Sequence, residues 1–240
     1  MATHLLPLDL LDREWATFAR SRRAEDWFDA WHSQVAPAVP CRSLPDLVAY
    51  FENRERSRIH DDTVFRGLVA YASTGEAMAA RVLLQLLMPG WRSLARRFEW
   101  LVQAEELQAL VVAIAYERIS GYPISRRPGS VAANILGDTR QWLLRRLRHV
   151  GREVPAPHPA DLRPRWSPQE AVPAAGEELL DLLCTAVEDG LLDSTSATLI
   201  ARTRFGVCTV SELAHREGVD ADTVRRRRHR AELRLREAAA

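Results

Sequence analysis

Seven arginines fall within the fourteen residues 223–236, at positions 225, 226, 227, 228, 230, 234 and 236, against a single acid, Glu232. Guanidinium groups stay charged at any ordinary pH and carry five donors in a rigid fork. A cluster this dense therefore suits phosphate oxygens and guanine edges better than it suits covalent chemistry. A second basic stretch, 126–152, holds Arg126, Arg127, Arg140, Arg145, Arg146, Arg148 and Arg152 against Asp138. Between the two, residues 168–200 hold seven acids (Glu170, Glu177, Glu178, Asp181, Glu188, Asp189 and Asp193) and no arginine. The whole chain of 240 residues is nearly neutral, with 33 basic groups, all arginine, against 32 acids. Segregated charge suits a polyanionic partner or a solvated helix face, and the pattern around the C-terminal arginines is what favours the partner.

Other chemistries find little support. The histidines at 4, 32, 60, 149, 158, 215 and 229 show no pairing at metal-ligand spacing. No Gly-x-Ser-x-Gly elbow and no phosphate-cradling glycine loop occurs. The adjacent acids at 61–62, 105–106 and 177–178 point apart on a helix, as neighbouring helical positions must. Neither an enzyme, nor a metal site, nor a cofactor is expected. Cys41, Cys184 and Cys208 are odd in number and widely spaced, so they are expected as buried, reduced thiols. The start of the chain contains His4, Pro7 and Asp9 and lacks the basic region expected of a signal peptide, and the longest apolar run is far short of a bilayer. A cytoplasmic protein with no membrane partner is the expectation.

The elements that must position the arginines are helices. Apolar residues recur three and four apart, and no run alternates with a period of two. The pattern predicts an all-α protein. Amphipathic helices carrying Trp15, Phe18, Trp27, Phe28 and Trp31, then Leu44, Leu47 and Phe51, form an N-terminal helical extension, 1–60. A second helical domain, 61–152, has helices expected at 63–73, 76–87, 89–98, 104–120 and 130–150, with Asp61, Asp62 and Ser130 as candidate caps. Residues 153–175 contain six prolines and read as a stiff linker. A C-terminal domain, 176–240, has helices expected at 177–189, 194–204, 210–217 and 221–238.

The last two helices read as a helix-turn-helix. Leu213 and Ala214 mark the helix contact, Gly218 the left-handed turn, and Val219 the plug behind it. Asp220 or Asp222 starts the second helix, whose buried stripe is Val224, Ala231 and Leu235. That stripe turns Ala221, Asp222, Thr223, Arg225, Arg226 and His229 toward a DNA groove. Arg227, Arg228, Arg230 and Arg234 are then placed for phosphates.

The segments Ser211-Glu-Leu-Ala, Gly218-Val219, Thr223-Val224 and Arg230-Ala-Glu-Leu-Arg resemble the upstream-promoter-reading domain of bacterial sigma factors of the extracytoplasmic-function type. Further upstream, Ala104-Glu-Glu-Leu and Tyr116-Glu-Arg-Ile look like that family's polymerase-binding helix, and Arg140-Gln141 with Leu144-Arg-Arg-Leu-Arg like its downstream-promoter helix. The resemblance implies a sigma-factor-like regulator of transcription that recognises promoter DNA. It implies double-stranded DNA, RNA polymerase core and an anti-sigma-like regulator as partners. It also implies a second DNA or polymerase contact through Arg126, Arg127, Asn134, Arg140, Arg145, Arg146 and Arg148, and a promoter-melting loop at 121–129 containing Tyr122. Asn134 stands where the family commonly has tryptophan, and Ala109-Leu110 where it commonly has Gln-Glu. The alternative is a sigma-like adaptor or decoy that binds polymerase or another protein without melting a promoter, with the acidic stretch masking the basic helix.

Overall fold

A computed structural model describes residues 5–52, 58–147 and 175–238, and these are all-α, with no strand among them. The chain divides into two units. Met1–Arg96 and Ala104–Arg140 form one; Arg97–Gln103 and Gln141–Ala240 form the other. The proline-rich stretch expected as a linker lies, except for Ala175, outside the described residues.

The first unit is built from α1 (Pro7–Phe18), α2 (Arg22–Val35), α3 (Leu44–Glu52), α4 (Arg58–Ser73), α5 (Ala77–Leu86), most of α6 (Met88–Phe98), α7 (Ala104–Ser120) and the start of α8 (Val131–Leu147). Pro7 opens α1, where a missing N–H costs nothing, and Ser21 caps α2 by accepting from the Ala24 N–H. The N-terminal aromatics face inward as their spacing predicts: Trp15, Phe28 and Trp31 are buried, and Trp27 stacks on Trp31 at 6.0 Å. Helix α1 packs on α5 and α7 and is tied there by polar bonds. The Leu8 N–H donates to Gln108 Oε1 at 3.1 Å, and Asp12 accepts from Gln85 Nε2 at 2.6 Å. Arg81 lies 5.2 Å from the Trp15 ring centre and donates to the Leu11 carbonyl; desolvation lowers its pKa while the charges of Glu14 and Asp12 oppose that shift.

Helix α4 begins at Arg58, so Asp61 sits inside its first turn instead of capping it from outside. The substitution is electrostatically equivalent, because an acid anywhere in the first turn faces the positive end of the helix. Ser130 precedes α8 in left-handed backbone, with φ of 51°.

Gly67 marks a close approach of α4 to α2. A Cβ built there would lie 2.0 Å from Val35 Cγ1. Valine is branched at Cβ and cannot swing its methyl away within a packed helix. Gly67→Ala is therefore expected to lower stability by about 1–3 kcal/mol despite the better helix propensity of alanine. Urea denaturation followed by circular dichroism checks this, and an unchanged midpoint would show that the α2–α4 contact yields freely.

The second unit contains α9 (Ala175–Glu188), α10 (Ser194–Arg204), α11 (Val210–Glu217) and α12 (Ala221–Ala238). Helix α10 packs against both α9 and α12, and α11 packs against α12. All three cysteines are buried free thiols. Burial pushes the Cys184 thiol up to about 12 and Cys41 up to about 11, so both behave as small apolar fillers. Among the described residues, no helix is long and apolar enough to cross a membrane.

Candidate nucleic-acid interface

Helix α11 is fixed at both ends. Thr209 and Glu212 form a reciprocal capping box: the Glu212 N–H donates to Thr209 Oγ1 at 3.2 Å, and the Thr209 N–H donates to Glu212 Oε2 at 2.7 Å. At the other end Gly218 takes φ of 66°, and the Val219 N–H returns to the Ala214 carbonyl at 3.0 Å. Only glycine adopts that backbone without steric cost. Leu213, Ala214, Val224 and Cys208 form the core beneath the turn, with Leu199, Val210, Val219 and Ala221 packed around it. The entry direction of α12 is thus set by a capped helix, a glycine turn and a shared apolar core.

Helix α12 buries Val224, Ala231 and Leu235, the stripe the spacing predicts. Residues on the far side follow at three- and four-residue steps: Asp222, Arg226, His229 and Leu233, all exposed. Arg225, Arg227 and Arg230 are also exposed; Arg228 is half-buried. Ala221 and Thr223 are half-buried too, and Ala221 contributes to the core below the turn, so it shapes the helix entry more than it presents a surface.

Several arginines have partners that charge counting cannot reveal. Arg225 pairs with Asp222 in the same turn. Arg227 reaches Glu217 of α11 at 3.2 Å, stapling the two helices. Glu232 takes Arg204 of α10 at 2.8 Å and Arg228 at 3.6 Å. The Asp222–Arg225 and Glu217–Arg227 pairs are solvent-exposed, and pairs of that kind are worth about 0–1 kcal/mol each. Arg226, His229 and Arg234 make no ion pair among the described residues.

The acidic helix α9 turns elsewhere. Arg97 donates to Asp181 at 3.2 Å and to Thr185 Oγ1 at 3.1 Å, and pairs with Glu188 at 3.1 Å. Arg145 Nε donates to the buried Glu177 at 3.1 Å. These acids neutralise arginines from the ends of α6 and α8, and the outer face of α12 stays exposed.

Part of the second basic stretch is committed to internal bonds. Arg127 Nη1 donates to both oxygens of Asp138, at 3.1 and 2.8 Å. Asn134 Nδ2 donates to Tyr122 Oη and to the Gly129 carbonyl, both at 2.9 Å. Tyr122 is only 3% exposed and donates to the Arg127 carbonyl at 2.8 Å. The loop expected to hold an unstacked base therefore has its one aromatic ring turned inward. Arg140 is half-buried and Arg145 is held by Glu177, whereas Arg126 and Arg146 are exposed. Arg148 lies outside the described residues.

Two caps of the second unit carry a pH signature. Asp193 accepts from the Ser196 N–H at 2.8 Å, and that bond holds its carboxyl below the ordinary range; Glu212 is lowered by the Thr209 N–H in the same way. Both groups have folded pKa values below the unfolded ones. Their stabilisation is complete above about pH 4–4.5 and is lost as pH falls through the folded values. The melting temperature is expected to drop between pH 5 and pH 3, and the drop should shrink in Asp193→Asn with Glu212→Gln. An equal acid loss in that variant would remove these caps as its cause.

Set against protein-family models, curated proteins and solved structures, the chain matches none of them.

Proposed function

We propose that this chain is a sigma-like, DNA-binding regulator of transcription that acts in the cytoplasm and recognises promoter duplex through α11 and α12, without catalysis or cofactor. The observation that carries the reading is the exposed side of α12, with Arg226 and His229 opposite the buried stripe and Arg225 and Arg230 flanking them, on a helix fixed by a capped glycine turn. A rigid helix with guanidinium groups near its N-terminus fits the major groove, where arginine pairs with guanine O6 and N7. The test is selection of the full chain on random duplexes, followed by affinity measurements across a salt series. The reading expects an enriched motif and an affinity that falls steeply with salt. No enriched sequence together with a flat salt response would overturn it.

A second reading is favoured by the inward Tyr122 and the bonded Asn134 and Arg127. These leave few groups on the 121–138 region to hold melted DNA, which suits an adaptor that engages polymerase core, or an anti-sigma-like partner, without opening a promoter. Transcription reconstituted with core enzyme and this chain separates the two. Promoter-dependent transcripts support an initiation factor; core binding without transcripts supports the adaptor.

A further inference from the structure

An aspartate on the outer face of a helix meant for DNA is costly, because it faces phosphates of like charge. Asp222 occupies that position, one turn before Arg226, and it is exposed to the same degree as Arg225, each side chain at 59%. Its carboxylate does not point into solvent alone: it accepts from Arg225 Nη1. An arginine side chain has many rotamers, and much of that freedom is lost when it docks on a base. A partner on the same helix turn removes part of that freedom beforehand.

We infer that Asp222 is a positioning residue that holds the Arg225 guanidinium for bidentate recognition of a guanine in the major groove. The inference rests on the DNA-binding reading given above. The Nη1 group is the one engaged, which leaves the Nε–Nη2 edge whole for guanine O6 and N7. Arg226, with no ion-pair partner among the described residues, lacks this constraint and meets the duplex with a freer side chain. His229 lies on the same exposed face one turn on.

The experiment compares base preferences, position by position, for the wild-type chain, Arg225→Ala, Arg225→Lys and Asp222→Asn, with a salt series for each. One guanine position is expected to lose discrimination by about 5- to 150-fold in Arg225→Ala. Arg225→Lys keeps the charge and the salt slope but loses the same guanine preference, because it lacks the fork. Asp222→Asn weakens preference at that same position by about two- to fivefold, while affinity for unrelated duplexes holds or rises as an anionic group is removed. A loss of helix structure alone would lower all affinities together and would not single out one position. An Asp222→Asn profile identical to wild type overturns the positioning role. A changed preference at a position that Arg225→Ala does not affect also overturns it, in favour of direct readout by the carboxylate. Absence of any preferred sequence in the wild-type chain overturns the inference together with the reading it rests on.

Discussion

With Arg225 and Arg226 both replaced by alanine, affinity for the preferred duplex is expected to fall by about 100-fold or more at low salt. The magnitude follows from two side chains on the exposed face of α12, each able to contribute about 1–3 kcal/mol where it meets a base edge. Folding is not at risk. Both residues lie outside the stripe of Val224, Ala231 and Leu235, so the change in stability should stay within about 0.5 kcal/mol. A control pair, Arg234→Ala with Arg236→Ala, removes two exposed charges further along the helix. That pair should weaken binding nearly uniformly across sequences and reduce the salt slope by about 2. If the first pair left affinity for every tested duplex unchanged, α12 would not be a reading helix, whatever its charge.

The α11–α12 hairpin was legible ahead of any coordinates because its signals are local. Gly218 at the turn, Leu213 and Ala214 at the helix contact, and the 224–231–235 stripe each follow from spacing within about twenty-five residues, and the structure places each in that role. Helix class was legible for the same reason. The boundary at α4 was not: an acid in the first turn and an acid before it satisfy the same field, so Asp61 could not say where the helix began. The partners of the charges were hidden for a different reason. Arg127 finds Asp138 eleven residues away, Arg145 finds Glu177 at a separation of thirty-two, and Arg97 finds Asp181 at eighty-four. A charge run counts ionised groups and cannot tell which ones the fold has already neutralised. Tyr122 illustrates the same limit. The resemblance implies a loop that holds melted DNA there, yet two hydrogen bonds, to the Arg127 carbonyl and from Asn134 Nδ2, hold the ring in a buried position.

The largest loss of stability is expected from Arg145→Ala, at about 2–3 kcal/mol. The Glu177 side chain is 5% exposed and the guanidinium that serves it is 30% exposed. Removing the arginine leaves a carboxylate with little access to water and without its charged donor, which is the expensive way to break such a pair. Partial hydration of Arg145 keeps the loss below the roughly 3–5 kcal/mol of a fully enclosed pair. Glu177→Gln should cost less, because the arginine left behind can still reach solvent. Replacing both, Arg145→Met with Glu177→Leu, should recover most of the loss by exchanging two desolvated charges for apolar contact. The Arg145 guanidinium also lies 5.4 Å from the Trp142 ring centre, so tryptophan fluorescence gives a second readout. This residue belongs to the basic stretch whose resemblance implies a second contact to DNA or polymerase. The ion pair with Glu177 separates the two roles. A structural arginine lowers the urea midpoint and leaves the salt dependence of duplex binding unchanged at concentrations where the protein is folded. A nucleic-acid contact does the reverse, and an Arg145→Ala chain with wild-type stability but a flatter salt slope would move α8 back into the DNA-binding surface.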